Sequence, residues 1–361
     1  MIPVATYGSV DYALRWLSRH QNHDGSWGAT GFKRQCADGG CVGDGDSEYD
    51  VGLTGLALLA YFGAGYTHES KDRHPDTGRP TVGGTVRDGL LWLMSKQDPE
   101  GCVGGRGLRF MYSHALATLA LSEAYRASPA PPLRAAAQRA VEFLVASQNR
   151  GGGWRYSVSP GDNDTSVTGW SLMALRSAEL AGLDVPVEQA YGDALLWLDE
   201  ATDVAEGYRV GYNTRGYPPR RPMCKEIIYP HHDTMTAIAV LCRTFVSKDE
   251  KDPAFNGVKL LLADLPTSKS KEKDYYYWFF GSLALFQFDG PAGAAWRTWN
   301  QPVKDALLPH QVNEKGGCAR GSWTSDDDRW GFEGGRVYAT AINALTLEVY
   351  YRYQNVFPGS K

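Results

Sequence analysis

Residues 133–175 read LRAAAQRAVEFLVASQNRGGGWRYSVSPGDNDTSVTGWSLMAL, and this stretch contains the pattern that decides the fold. Its first part, Leu133–Ser147, mixes apolar and charged residues with the period of an amphipathic helix. Its last part, Thr165–Leu175, has no charged residue and reads as a helix that is apolar nearly all round, which must be buried on every side. The turn Gln148–Trp154 separates the two. The stretch therefore predicts an outer helix, a tight turn and an inner helix.

The same arrangement recurs along the chain. Six segments almost free of charge are predicted to form buried inner helices: Val51–Ala64, Tyr112–Leu121, Thr165–Leu175, Thr234–Cys242, Tyr275–Phe288 and Val337–Leu347. Six amphipathic segments alternate with them and are predicted to form outer helices: Val10–Arg19, Val86–Lys96, Leu133–Ser147, Glu188–Glu200, Phe255–Asp264 and Ala292–Leu308. The inner segments recur about every 57 residues, which is enough for two helices and two loops.

Six such hairpins can close a ring, and closure removes the need for capping repeats at the ends of the array. The predicted fold class is therefore all-α, an (α/α)6 toroid with parallel inner helices inside a ring of outer helices. Residues 1–361 are expected to form this toroid as a single domain, because no Ser-, Pro- or charge-rich linker interrupts them.

Four turns between outer and inner helices share Gln and Gly, and three of them also carry Trp. The pattern occurs in Gln21–Gly28 (QNHDGSWG), Gln97–Gly104 (QDPEGCVG), Gln148–Trp154 (QNRGGGW) and Gln311–Trp323 (QVNEKGGCARGSW). Gln is expected to bond the free carbonyls at the end of the outer helix, Gly to supply a left-handed turn, and Trp to stack a large ring across the turn. Trp27, Trp154 and Trp323 are therefore predicted to be structural.

These Gln…Gly-x-Trp turns resemble the QW motifs of squalene–hopene cyclases and the repeats of protein prenyltransferase β subunits. The resemblance covers essentially the whole chain as a repeat pattern, with the Gln/Trp pair absent from the fourth and fifth repeats. It implies an α/α toroid with a central cavity at the N-terminal ends of the inner helices. Free backbone N–H groups and helix dipoles at those ends also favour anions.

Residues at the predicted starts of the inner helices are the candidate ligand-binding residues. They are Asp50, Tyr112, His114, Asp162, Asp164, His231, His232, Asp233, Tyr276, Tyr277, Trp278, Arg336 and Tyr338. Parallel inner helices put all six N-termini on one face, so these residues are expected to share the mouth of one cavity. For Asp50, Asp164 and Asp233, each of which precedes an apolar run, capping of the helix N-terminus is the alternative role.

The segment Gly161–Ser166 (GDNDTS) is similar to the Asp-x-Asp-Asp-Thr motif of class II terpene cyclases, in which a carboxylic acid protonates an alkene or an epoxide. Alignment on its Asp-Thr pair puts Asn163 where the family has its proton-donating Asp and Gly161 where it has its first Asp. The motif is therefore not intact. We expect Asp164 or Asp233 to serve as the catalytic acid instead, with a pKa raised by burial.

Six consecutive aromatic residues, Tyr275–Phe280, open the fifth inner helix. Helical geometry predicts that about half of them pack between helix layers while the others reach the cavity. Such rings suit a hydrocarbon, a carbocation or the face of a sugar, and the sequence does not separate these three ligands. The acidic run Asp326–Asp328 fails the spacing of the acid motif and is predicted to be a solvated loop.

The favoured function is that of a terpenoid cyclase-like or prenyltransferase-like protein that acts on or binds an isoprenoid-type hydrophobic molecule in the cavity. Two alternatives stay open. A polysaccharide-processing toroid would use paired carboxylates in an open polar groove, and a non-catalytic interaction module would keep only the scaffold. Class II cyclases place their chemistry between two toroids, so the resemblance also implies a partner domain or a homodimer for this single ring.

Composition excludes other classes. Lys and Arg number 37 against 41 Asp and Glu, a net charge of −4 without a basic tract, so we expect no nucleic-acid partner. The longest stretch without charge, Val51–His68, contains four glycines, and no transmembrane segment is predicted. The N-terminus shows no positive region followed by an apolar core, so no signal peptide is expected. The chain is predicted to be soluble, and its compartment stays open.

The six cysteines contain one close pair, Cys36 and Cys41. A local disulfide and a zinc half-site with His20 or His23 are the alternatives to free thiols, but four ligands at zinc-finger spacing are absent. The zinc site of protein prenyltransferases needs Asp, a Cys two residues later and a distant His, and no Asp-x-Cys begins an inner helix. We therefore predict unpaired thiols, no metal and no cofactor.

Overall fold

The computed structural model of the protein describes residues 4–74, 77–216, 233–246 and 252–352. These ranges contain thirteen α-helices: α1 (Val4–Arg19), α2 (Asp50–Gly63), α3 (Val82–Ser95), α4 (Phe110–Ala127), α5 (Pro131–Ala146), α6 (Thr165–Leu180), α7 (Val187–Ala201), α8 (Thr234–Thr244), α9 (Val258–Ala263), α10 (Tyr275–Asp289), α11 (Ala294–Leu307), α12 (Gly331–Leu347) and α13 (Val349–Arg352). Strands β1 (Thr202–Asp203) and β2 (Arg209–Val210) pair as a small antiparallel hairpin. Short 3-10 helices occur at Gly31–Gln35, Ser47–Tyr49, Pro253–Gly257, Leu308–His310 and Glu314–Ala319.

Helices α2, α4, α6, α8, α10 and α12 form an inner ring. Each packs against the next one along the chain, and α12 packs against α2, which closes the ring. Helices α1, α3, α5, α7, α9 and α11 lie outside, each against an inner helix, and α1 contacts both α12 and α2. The predicted all-α fold of alternating inner and outer helices, an α/α toroid, is confirmed.

Small residues let the inner helices approach one another. A Cβ at Gly55 of α2 would lie 2.9 Å from the carbonyl oxygen of Leu116 on α4, too close for an ordinary contact. Large rings fill the wider gaps: Phe279 and Phe280 of α10 are almost fully buried and pack at 5.6 and 5.0 Å from the ring of Trp170 on α6. Burial of these apolar side chains supplies most of the driving force for closing the ring.

The glutamines of the turns join neighbouring repeats. Gln148 Nε2 donates a hydrogen bond of 2.7 Å to Gly152 O in its own turn and one of 3.0 Å to Ala190 O on the next outer helix, α7. Gln21, Gln97 and Gln311 make the same pair of bonds, reaching α3, α5 and α1 respectively. Because Gln311 reaches α1, the last repeat is bonded to the first.

The tryptophans of the turns are fully buried against the preceding outer helix. Trp154 Nε1 donates 2.8 Å to Leu144 O of α5, and Trp154 N–H donates 3.0 Å to Thr168 Oγ1 of α6. Trp27 bonds Leu17 O and Thr54 Oγ1 in the same way, and Trp323 bonds Leu307 O and Thr340 Oγ1. Each tryptophan therefore ties one outer helix to its inner partner.

The fifth outer element is shorter than predicted. Residues 255–257 of the expected helix Phe255–Asp264 belong to a 3-10 turn, and α9 covers only Val258–Ala263. At Gly257 the backbone passes so close to α8 that a Cβ would lie 2.7 Å from Thr236 Cγ2. None of the described helices is both long and apolar enough to cross a membrane.

Candidate functional site

A cavity lies at the N-terminal ends of the inner helices, and every inner helix contributes to its wall. The lining residues are Tyr49, Gly52, Leu53, Leu56, Tyr112, Leu116, Ser166, Trp170, Tyr212, Met235, Tyr276, Trp330, Glu333, Gly334 and Tyr338. Aromatic rings and aliphatic side chains dominate this surface. The part of the cavity that the centre of a water molecule can occupy has a volume of about 120 Å³.

One side of the cavity is held by hydrogen bonds among its own residues. Tyr276 Oη lies 2.6 Å from Ser166 Oγ and accepts a bond of 2.7 Å from Trp170 Nε1. Tyr276 lies in the first turn of α10, and the other two residues lie on α6 across the ring. These bonds fix both aromatic rings and satisfy their polar atoms, so the faces presented to the cavity are apolar.

Glu333 is the one carboxylate among the described lining residues. Arg109 Nη1 lies 3.0 Å from both of its oxygens, and neither side chain is more than 18% exposed. Arg109 Nε also lies 3.8 Å from Glu48. Both oxygens of Glu333 therefore already have a charged hydrogen-bond donor.

Tyr338, on the same helix α12 as Glu333, presents a different situation. Its Oη is buried and has no hydrogen-bond partner among the described residues. Burial raises the pKa of this phenol well above its usual range, so it stays a neutral O–H group. A buried hydroxyl without a partner costs about 1–3 kcal/mol, which an oxygen atom on a bound molecule would recover.

The two carboxyls predicted as acids lie beside helix starts. Asp164 is fully buried and caps α6, with Oδ1 accepting 2.7 Å from Val167 N–H and Oδ2 accepting 3.3 Å from Tyr212 Oη. Since Tyr212 lines the cavity, Asp164 stands one residue behind its wall. Asp233 accepts 3.3 Å from Thr236 Oγ1 and lies 3.6 Å from Arg209 Nη1. Neither of those partners lines the cavity.

His114 and Asp50 are used by the turns instead of the cavity. His114 Nδ1 accepts a hydrogen bond of 3.1 Å from Val103 N–H, as a threonine hydroxyl does in each of the other turns. His114 Nε2 lies 3.1 Å from Ala140 O. Burial lowers the pKa of His114 to about 4, so the ring is neutral. Asp50 accepts 2.8 Å from Ala29 N–H. Neither side chain is among those that line the cavity, so a residue next to a helix start need not face it.

Four more expected site residues lie away from the cavity. Asp162 is exposed and pairs with Arg155 at 2.9 Å. Tyr277 donates 3.0 Å to Asp264 O in the outer layer, Trp278 packs 5.5 Å from Tyr275, and Arg336 donates 2.5 Å to Val42 O and 2.9 Å to Ser322 Oγ. His231 and His232 lie outside the described residues. Of the thirteen expected residues, Tyr112, Tyr276 and Tyr338 line the cavity.

A pair of buried carboxyls that the sequence did not predict as part of a site, Asp274 and Asp328, lies behind Trp330. Asp274 Oδ1 accepts 2.8 Å from Tyr277 N–H and 3.2 Å from Trp330 Nε1. Asp328 accepts from Tyr275 N–H at 2.8 Å and from Trp330 N–H at 3.0 Å. Burial raises the pKa of Asp274 to about 6 and that of Asp328 well above its usual range. The prediction that Asp326–Asp328 is a solvated loop is therefore wrong for Asp328, because its carboxyl bonds two backbone amides.

Trp330, Glu333 and Gly334 reach the cavity because α12 begins earlier than predicted. The helix starts at Gly331, not Val337, and Gly335 interrupts it with a φ of 63°. The glycine-rich sequence GFEGG concealed this first turn, since glycine disfavours helices. The large ring and the carboxyl at positions 330 and 333 are the signals that could have identified it.

No protein-family model matches the chain. The squalene–hopene cyclase of Bradyrhizobium diazoefficiens is 26% identical over an alignment of 191 positions, which covers 47% of this chain and 26% of the cyclase. The chain thus spans about a quarter of that relative's length.

Two solved structures share the fold at low identity. The α-1,6-mannanase GH76A of Salegentibacter sp. HEL1_6 superposes with a TM-score of 0.62 at 11% identity, covering 96% of this chain and 99% of the mannanase. The type II terpene cyclase MstE from Scytonema superposes with a TM-score of 0.56 at 13% identity, covering 98% and 99%. The chain is an α/α toroid whose sequence is similar, over about half its length, to squalene–hopene cyclases.

Proposed function

We propose that this protein binds an isoprenoid-type hydrophobic molecule in the cavity at the N-terminal ends of its inner helices. The observation that carries the proposal is the composition of the cavity wall, which is made of aromatic rings and aliphatic side chains from all six inner helices. Similarity to a squalene–hopene cyclase over 47% of the chain supports the same ligand class. Apolar pockets with few polar groups are the usual sites for such ligands.

The size and polarity of the cavity define the ligand further. The volume open to water centres, about 120 Å³, is comparable to that of a cavity of about 150 Å³ that holds one benzene molecule, so the enclosed space suits one end of a prenyl chain. The unpartnered Tyr338 Oη favours a ligand with one oxygen atom, such as an alcohol or an epoxide. Farnesol, a fifteen-carbon isoprenoid alcohol, combines both properties and serves as the probe.

The small number of carboxylates at the cavity favours isoprenoid binding over polysaccharide cleavage. The shared fold with the mannanase does not decide between the two functions. Glycoside hydrolysis generally needs two carboxyl groups that flank the scissile bond. The described cavity wall offers Glu333 alone, and Arg109 engages both of its oxygens.

The test is a calorimetric titration of the protein with farnesol and, separately, with α-1,6-mannotriose. Farnesol should bind with a negative heat-capacity change, since apolar surface is buried. Replacing Leu116, which lines the cavity, by tryptophan fills the space and should weaken farnesol binding by at least about tenfold, or about 1.4 kcal/mol.

Leu91→Trp is the matched control, because Leu91 is 57% exposed on outer helix α3. This variant should bind farnesol as the unaltered protein does. Binding of mannotriose without farnesol, or equal farnesol affinity in both tryptophan variants, would refute the proposed function.

We propose separately that Asp164 is the acid if the bound molecule is turned over, acting through Tyr212 on the ligand's oxygen. The support is the 3.3 Å distance between Asp164 Oδ2 and the Oη of the cavity-lining Tyr212. In the proposed step a protonated Asp164 gives its proton to this oxygen while Tyr212 gives its own hydroxyl proton to the ligand, and Asp164 is left as the carboxylate. Asp164→Asn should keep the helix cap, since Asn and Asp cap about equally well, yet lower turnover by at least about a hundredfold. Asp305→Asn on the exposed face of α11 is the control. Retained turnover in Asp164→Asn with unchanged melting would leave capping as its role.

A further inference from the structure

Four potential metal ligands from distant parts of the chain meet on the outer side of the ring closure. They are His20, directly after α1, Cys36 and Cys41 from the loop that follows, and Cys318 from the 3-10 segment Glu314–Ala319. Their ligand atoms all lie within 4.8 Å of one another. We propose that this Cys3His cluster binds one zinc ion, which fastens the last repeat of the toroid to the first.

The distances fit tetrahedral zinc. His20 Nε2 lies 3.2 Å from Cys41 Sγ and 3.4 Å from Cys318 Sγ. Zinc bonds of about 2.3 Å to sulfur and 2.0–2.1 Å to nitrogen place the two ligand atoms about 3.6 Å apart at the tetrahedral angle. The observed spacings are close to this value, so the side chains need only small movements to share an ion.

The histidine is oriented as a zinc ligand. Its Nδ1 lies 2.8 Å from Trp16 O, and because a carbonyl can only accept, Nδ1 carries the proton. The lone pair of Nε2 therefore points at the two sulfurs. The Trp16 ring stacks on the imidazole at 4.2 Å and holds its plane. A backbone carbonyl that fixes the tautomer in this manner is the usual outer partner of a zinc-bound histidine.

Backbone amides are directed at the sulfurs as well. Cys41 N–H donates 3.3 Å to Cys36 Sγ, and Ala37 N–H donates 3.4 Å to Cys318 Sγ. Such bonds stabilise thiolates, the form of cysteine that binds metal.

Asp38 connects the two halves of the cluster. Its Oδ1 accepts 2.9 Å from Gly40 N–H and lies 3.4 Å from Cys36 Sγ, while Oδ2 accepts 2.7 Å from Cys318 N–H. A Cβ at Gly317 would overlap Oδ2, and Gly317 has a φ of 57°. The backbone around the four ligands is thus arranged by contacts that cross from the first repeat to the last.

Charge near the cluster is also suitable. Three thiolates and a neutral imidazole around Zn²⁺ leave a net charge of −1. Arg336 donates to Val42 O, next to Cys41, and Arg19 donates 2.8 Å to Arg320 O, two residues after Cys318. These guanidinium groups provide the compensating positive charge.

The test measures the zinc content of the full-length protein by elemental mass spectrometry, after purification under reducing conditions without chelator. About one zinc per chain is expected. Cys36→Ser and Cys318→Ser, at half-buried positions that favour correct folding, should each weaken zinc binding by at least about tenfold. Cys102→Ala, far from the cluster in its own turn, should keep the full zinc content.

Cobalt(II) provides the second measurement, on protein stripped of zinc and reconstituted with cobalt alone. The expected absorption spectrum has two features: the visible bands of tetrahedral cobalt and an ultraviolet band from sulfur-to-cobalt charge transfer. Both features should be lost in Cys318→Ser. Three results would overturn the proposal. The first is unaltered protein that binds neither zinc nor cobalt, and the second is that the two cysteine variants retain as much zinc as the unaltered protein. The third is a disulfide between two of the three cysteines in protein purified without reductant.

Discussion

Replacing Trp154 by alanine is expected to lower the free energy of unfolding by about 3–5 kcal/mol, the usual cost of deleting a fully buried large ring. The variant also leaves the carbonyl of Leu144 without the indole donor that bonds it at 2.8 Å. Because this ring joins α5 to α6, the third hairpin should loosen before the rest of the toroid. Chemical denaturation followed by circular dichroism measures the change.

Trp92→Ala is the matched control for this variant. Trp92 is half-buried on α3, and its Nε1 bonds the side chain of Asp24 at 2.9 Å near the surface. Its loss should cost clearly less than the loss of Trp154, because little cavity forms. If Trp154→Ala abolished ligand binding but melted like the unaltered protein, the structural role of Trp154 would be wrong.

Gly152→Ala is expected to destabilise the protein by about 2–5 kcal/mol, the combined cost of a left-handed backbone and an overpacked contact. Gly152 has a φ of 85°, and a Cβ there would overlap the backbone carbonyl of Asp193 on α7. Because the obstructing atom belongs to the helix backbone, it cannot move aside as the end of a side chain could. The same turn geometry occurs at Gly25, Gly101 and Gly321, each facing the next outer helix.

Gly65→Ala separates the two causes. Gly65 has a φ of 87°, and an added Cβ would meet nothing within 4 Å. This control should lose only about 1–2 kcal/mol, from backbone strain alone. Equal melting temperatures for the two variants would show that contact between turn and outer helix does not limit the packing of the repeats.

The order of the helices could be predicted because it depends on local sequence. A charge-poor segment such as Thr165–Leu175 must be buried all round, whereas an amphipathic one needs a single apolar face. The predicted start at Thr165 agrees with α6, because Asp164 caps the helix there. The start of α12 was missed because a glycine with positive φ interrupts its first turns.

The cavity was harder to predict for a related reason. A helix that is apolar all round does not reveal which face points inward, so Trp170 could not be distinguished from core residues. Aspartates beside helix starts also cap the helices, as Asp164 does with one oxygen, so their position in the sequence does not separate capping from a role in the site. The Cys3His cluster was missed because Cys318 lies 298 residues from His20, and they meet only when the ring closes.

Photo-crosslinking with a diazirine derivative of farnesol, followed by peptide mapping, tests the central claim most directly. Adducts are expected on cavity residues such as Leu116, Trp170 and Tyr338, with labelling suppressed by excess farnesol and unaffected by α-1,6-mannotriose. Adducts confined to exposed leucines such as Leu108 and Leu196, which are 71% and 66% exposed, would contradict the claim that this cavity binds an isoprenoid.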